Sequence, residues 1–234
     1  EEEIQKSFRT PTRMSIFTYH GEVATMMTPL DSIKYYKSFL RTGFMSICPQ
    51  NGHVKAYVGG LDFSHFAYDM VMEGRRQVGS TIKPLLYSLA MENGFSPCDE
   101  APKLQQTYMV AGKPWTPRNS GRARYGQMVT LKWGLQQSNN WISAYLMSKL
   151  NPQAFVDLLH QYGINNPDIH PSMSLCLGPC EITVGEMASA YTAFVNHGIR
   201  ASHMFVTRIE DGDGNIITQF QPRMNEVISE ESRS

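Results

Sequence analysis

A serine and a lysine three residues apart, in Gly79-Ser80-Thr81-Ile82-Lys83-Pro84, constrain this chain more than any other feature. The segment reads as the start of a helix over 80–93, stopped by Gly94, with Pro84 tolerable close to the first turn. Residues i and i+3 share a helical face, so the amine can reach the hydroxyl that begins the turn. A serine hydroxyl becomes a nucleophile when a neighbouring base takes its proton, and a lysine is such a base only if its pKa is depressed. The positive end of a helix disfavours an ammonium group and so works in that direction. Gly79 removes a Cβ where a substrate would approach. Serine at a helix start is also an ordinary cap, so the pair needs support from elsewhere in the chain. Ser138-Asn139-Asn140 offers it, with a second hydroxyl and a planar amide in S-x-N order. Apolar spacing predicts helices over 131–137 and 141–150, which puts Ser138 and Asn140 on a short connection between them.

The remaining sequence predicts a mixed α and β domain. Strands over 44–47 and 53–58 flank Pro49-Gln50-Asn51-Gly52, a strong hairpin signal. Asn151-Pro152 opens a helix ending near Gly163, and Thr183-x-x-Glu186 is a capping box for a helix that Gly198 terminates. Strands over 205–209 and 216–220 flank Asp211-Gly212-Asp213-Gly214, so a sheet is expected to draw on both ends of the chain. Residues 1–42 are polar, with a helix over 32–40, and read as a linker and packing segment before a domain over 43–234.

Several functions are excluded. Lys plus Arg equals Asp plus Glu at 21 each, so nothing favours nucleic acid. With 41% hydrophobic and 18% charged residues the chain is an ordinary globular one, and no run approaches a membrane span. The seven histidines form no metalloprotease motif and no triad. Counting from Asp211, the twelfth position is Pro222, where a calcium loop needs a glutamate. Cys176-x3-Cys180 with His170 nearby is a loose half-site, and a free buried thiol is the better reading. Neither a metal nor an organic cofactor is expected.

The wording on both sides of the motifs is more specific than the motifs. Gly74 to Pro84, Trp115-Thr116-Pro117-Arg118-Asn119, Val129-Thr130-Leu131, Leu177-Gly178-Pro179 and Glu186 to Tyr191 resemble the transpeptidase domain of the bifunctional, class A penicillin-binding proteins. The resemblance covers residues 43 to about 220. It implies an α+β fold of serine β-lactamase and DD-peptidase type, with an antiparallel sheet and a helical subdomain. By this resemblance Ser80 is the nucleophile, Lys83 its base, Ser138 a proton shuttle and Asn140 a clamp for the substrate amide. Arg75, Arg76 and Gln77 would form the structural face before the serine, or touch substrate, while Trp115 and Asn119 would line the cleft or pack. The partners implied are peptidoglycan stem peptides and β-lactam antibiotics, with a glycosyltransferase domain and membrane anchor upstream, on the outer face of a bacterial cytoplasmic membrane.

The family's third motif, Lys-Thr-Gly, does not occur in the 234 residues, so its strand and those around it are expected to be missing. That leaves two further readings open: a hydrolase of carboxypeptidase or β-lactamase type, and a non-catalytic scaffold or β-lactam sensor. Against a β-lactamase, no Glu-x-x-x-Asn element for water activation occurs.

Overall fold

The computed structural model describes residues 2–119, 126–230 and 232; the outer bounds expected for the two segments, 1 and 234, lie outside these. Helix α1 (Glu2–Arg9) leads into an antiparallel hairpin of β1 (Thr12–Thr18) and β2 (Gly21–Met27). Helix α2 (Pro29–Ser38) follows, with Thr28 Oγ1 accepting from Asp31 N at its start. The sequence predicts this helix but not the hairpin. Of the hairpin's residues Ile16 is the buried one, so no polar and apolar alternation is imposed on its strands. Phe17 seats the hairpin against Phe39 and Phe66, at ring-centroid distances of 5.4 and 5.2 Å. Tyr35 Oη donates to Phe17 O (2.7 Å) and Phe17 N donates to Tyr36 Oη (3.0 Å).

Strands β3 (Phe44–Ile47) and β4 (Val54–Val58) form the expected second hairpin. Strand β5 (Arg76–Gln77) runs into a 3-10 turn (Gly79–Ile82) and helix α3 (Lys83–Glu92). The connection that follows holds β6 (Glu100–Pro102), β7 (Tyr108–Val110), β8 (Lys113–Trp115) and β9 (Met128–Thr130), with β6 on β9 and β7 on β8. Helices α4 (Leu131–Gln136), α5 (Asn140–Lys149) and α6 (Pro152–Gln161) come next, then a second 3-10 turn (Met173–Leu177). Strand β10 (Glu181–Ile182) pairs with β5, and α7 (Val184–Val195) starts with the expected capping box. Strand β11 (Ile199–Ala201) pairs with β14 (Met224–Glu226), around the hairpin of β12 (Arg208–Glu210) and β13 (Ile216–Gln219). Every strand pair named here is antiparallel, and helices α3 to α7 share one buried core, which is the expected α+β class. The two ends of the chain do not share a continuous ladder among the described residues. They meet where Met204 N donates to Gly52 O (2.7 Å) and Val54 N donates to Met204 O (3.1 Å).

The core lies where α3, α5 and α6 meet. Leu85, Leu86, Ile142, Leu146, Met147, Phe155 and Leu159 are all fully buried there. Each such side chain contributes about 1.5–3 kcal/mol by leaving water. Helix α3 is buried nearly all round, through Leu85, Leu86, Tyr87, Ser88, Leu89 and Ala90, as a helix at the centre of a domain must be. The residue that opens it, Lys83, is therefore anchored at the edge of the buried core.

Candidate active site

The serine is presented by a braced turn. The β5–β10 ladder continues beyond its strands, with Val78 N donating to Cys180 O (3.1 Å) and Gly79 N to Gly178 O (2.9 Å). Gly178 lies at φ +65°, and a Cβ there would stand 2.7 Å from Gly79 N and closer still to its carbonyl oxygen. Gly79 itself is at φ +54°. Tyr191 Oη donates to Thr81 O (2.6 Å). Arg75 pairs with Glu186 (3.1 Å), whose other contacts close the capping box with Thr183. Leu177-Gly178-Pro179 and the segment from Glu186 to Tyr191 thus both hold the turn that carries Ser80. Of the two roles open to Arg75, the structure gives it the structural one.

Ser80 sits within the 3-10 turn, not at the cap of a continuous α-helix, because α3 begins at Lys83. A 3-10 turn has three residues per turn, so side chains at i and i+3 eclipse. That spacing puts exposed Ser80 on the same side of the chain as Lys83, which is 1% exposed. Lys83 N donates to Ser80 O, and among the described residues no side-chain hydrogen bond joins the two.

Lys83 has no carboxylate partner among the described residues. Its Nζ donates to Ser138 O (2.6 Å), Asn140 Oδ1 (2.6 Å) and Ser138 Oγ (3.1 Å). Burial lowers its pKa from an ordinary lysine value to about 8. A thiolate at Cys176 would oppose that, but burial pushes the Cys176 thiol up to about 12, so it is neutral where Lys83 titrates. The four cysteines are free thiols.

Ser138 lies between α4 and α5 at φ +47°, a left-handed conformation uncommon for a residue with a Cβ. That turns its carbonyl and hydroxyl toward the same amine. Asn139 is buried and caps α5, accepting from Trp141 N (3.0 Å) and Ile142 N (3.2 Å). Asn140 opens α5 and is used at both ends of its amide: Oδ1 faces Lys83 and Nδ2 donates to Arg118 O (2.6 Å). The structure thus brings Lys83, Ser138 and Asn140 into direct contact, with Ser80 on the turn that leads into Lys83.

Trp115 packs beside Tyr108, with ring centroids 6.1 Å apart. The residues after it grip α5. Pro117 O accepts from Trp141 Nε1 (3.0 Å), and Asn119 Oδ1 accepts from Asn140 N (2.7 Å). Sequence reasoning groups these residues with the cleft or with packing and misses that they hold the S-x-N turn. Their wording gives the position of the segment, and its partners appear only in three dimensions.

A buried lysine held by uncharged acceptors, three residues after an exposed serine, is the arrangement that a serine acyl-transfer centre with a lysine base would need. The chain belongs to the penicillin-binding protein transpeptidase family, whose model matches residues 42–233, while the penicillin-binding protein middle domain matches residues 1–40. It is of the class A type. Penicillin-binding protein 1A of Neisseria meningitidis is 32% identical over 186 residues, covering 78% of this chain and 23% of that protein. Penicillin-binding protein 1A of Escherichia coli is 32% identical over 188 residues, covering 79% and 22%. The chain therefore spans under a quarter of the length of these relatives. Among solved structures, penicillin-binding protein 1A of Haemophilus influenzae superposes with a TM-score of 0.72 at 28% identity, over 79% of this chain and 28% of that one. PonA1 of Mycobacterium tuberculosis gives 0.69 at 25% identity, over 86% and 56%. No helix among the described residues is long and apolar enough to cross a membrane.

Proposed function

We propose that this chain carries the acyl-transfer chemistry of a peptidoglycan D,D-transpeptidase. The observation that carries the reading is the environment of Lys83: 1% exposed, bonded to oxygens that bear no charge, and three residues after exposed Ser80. The two bonds at 2.6 Å go to carbonyl-type oxygens, which can only accept, so they hold the two N–H groups of a neutral amine. The bond at 3.1 Å goes to a hydroxyl, which can donate or accept, so the amine's lone pair is left for hydroxyl protons.

Ser80 Oγ attacks the carbonyl before the terminal D-alanine of a stem peptide while its proton passes to Lys83 Nζ. The Ser80 N–H is one donor to the oxyanion. The C–N bond breaks as Ser138 Oγ delivers a proton to the leaving D-alanine nitrogen and is reprotonated from Lys83. An amine of a second stem peptide then attacks the ester; its proton returns through the same groups to Ser80 Oγ, and a cross-link forms. Asn140 orients Lys83, and its second N–H is available to a substrate carbonyl. β-Lactams acylate the same serine. Residues 1–42 form a linker and packing segment before the transpeptidase domain of residues 43–234. The class A resemblance adds a glycosyltransferase domain and a membrane anchor elsewhere in the protein, and a site on the outer face of the cytoplasmic membrane.

Intact mass after incubation with benzylpenicillin tests the reading, with Ser80→Ala in parallel. The expected result is one penicilloyl adduct on the wild-type chain and none on the variant. A folded wild-type chain that takes no adduct would favour the scaffold reading.

A further inference from the structure

We infer that Asn119 is a positioning residue for this site, its side-chain amide holding the S-x-N turn so that Ser138 and Asn140 face Lys83. The catalytic consequence rests on the acyl-transfer reading above. The geometric part does not.

The first turn of a helix leaves N–H groups without intrahelical acceptors. At α5, the Asn139 side chain takes those of Trp141 and Ile142. The N–H of Asn140 is left over, and it donates to Asn119 Oδ1 at 2.7 Å. Asn119 Nδ2 in turn reaches Asn139 Oδ1 at 3.4 Å, so one amide touches two successive residues of the turn. The preceding residue fixes the other side of Asn140, since Arg118 O accepts from its Nδ2 at 2.6 Å. That bond decides which end of the Asn140 amide faces Lys83, because the nitrogen is taken and the oxygen is left for the amine.

The turn needs such a hold. Ser138 is in the left-handed region at φ +47°, a conformation that persists when its surroundings over-determine it. Its own backbone bonds, Ser138 N to Leu135 O and Asn139 N to Gly134 O, tie the turn to α4. Asn119 supplies the tie on the far side. Without it, Asn140 loses the acceptor for its N–H, and both acceptors of Lys83 gain freedom to move.

The test uses Asn119→Ala and Asn119→Asp in the whole chain, with two readouts. One is the second-order rate of acylation by a fluorescent penicillin. The other is the titration of Lys83 by NMR of lysine-labelled protein, which needs no turnover; the titratable group facing Lys83 is Cys176, a thiol in this range. Asn119→Ala is expected to slow acylation by about 10²-fold, the cost of misplacing a catalytic group by about 1 Å. It also admits water, which moves the Lys83 midpoint up toward an ordinary lysine. Asn119→Asp keeps the acceptor for Asn140 N but adds a negative charge behind Asn140, raising the Lys83 midpoint by about 1. A merely structural residue would lower the melting temperature of both variants and leave the acylation rate and the Asn119→Ala midpoint where they were. A folded Asn119→Ala with wild-type rate and unmoved titration overturns the inference. If Asn119→Ala does not fold, an unmoved midpoint in Asn119→Asp overturns it equally. If the wild-type chain takes no penicillin, the acyl-transfer reading fails, and the titrations still decide the role of Asn119.

Discussion

The rate of acylation should follow the deprotonation of Lys83. Its pKa of about 8 leaves about one lysine in ten neutral at pH 7. At the ordinary value of 10.5 the share would be about one in 3,000, so burial raises the amount of free base about 300-fold. The direction has a single cause: the charged form loses its hydration and meets no carboxylate in exchange. The assay is the second-order rate of acylation by a fluorescent penicillin over about pH 6 to pH 10, corrected for spontaneous hydrolysis. The expected profile climbs about tenfold per pH unit below 8 and levels off above it, a gain of about 10²-fold between pH 6 and pH 9. A profile flat across that interval would remove Lys83 as the base. A midpoint near 10 would mean that Lys83 is solvated when substrate binds, and the reasoning from burial would fail.

Four further outcomes are expected. Lys83→Met should abolish acylation yet change stability in a pH-dependent way: the folded-state pKa lies below the unfolded one, so the wild-type chain gains on the variant as pH rises through that window. Urea unfolding should show the gap moving by about 2–3 kcal/mol between pH 7 and pH 10, and remaining constant below about pH 7. Gly178→Ala forces a Cβ into the backbone of Gly79 from a left-handed conformation, which costs about 1–3 kcal/mol by thermal unfolding and should slow acylation by tenfold or more. Thr183→Ala removes the cap of α7 and should lower stability by about 1 kcal/mol, or the melting temperature by about 2–4 °C. The penicilloyl adduct should persist for hours in intact-mass measurements, because no Glu-x-x-x-Asn element activates water; rapid turnover of a chromogenic cephalosporin would argue for a hydrolase instead.

What the sequence makes legible here is set by how local the physics is. Thr183 and Glu186 cap a helix through contacts three residues apart, and Ser80 and Lys83 share a face for the same reason. Both can be read along the chain. The start of α3 cannot, because a 3-10 turn and an α-turn use the same residue types, and the choice is made by Gly178, 99 residues after Gly79, bonding back to it. The β1–β2 hairpin stays hidden because its faces are mostly exposed and carry no alternation. Arg75 could be given no single role until Glu186 was found 111 residues away. The grip of residues 117–119 on α5 is of the same kind, being made across 20 to 24 positions of chain.

The site also departs from what stability alone would select. A lysine enclosed without a counter-charge costs the fold at neutral pH, and a methionine of similar length would pack in its place more cheaply. Ser138 is held in a conformation that glycine adopts freely, and it keeps its side chain. Both exceptions fall at the two residues that meet at 3.1 Å, a hydroxyl against an amine that can exchange a proton. Around them the chain follows the ordinary rules: Thr28, Thr130, Asn151 and Thr183 cap their helices, and α3 to α6 bury apolar faces. Ala111 and His197 share the left-handed conformation elsewhere, but at Ser138 it coincides with a buried lysine that lacks a counter-charge, and that coincidence of costs is what a working site leaves behind. If Lys83→Met proves no more stable than the wild-type chain at pH 7 once the two lost hydrogen bonds at 2.6 Å are allowed for, the burial cost is absent and this argument fails with it.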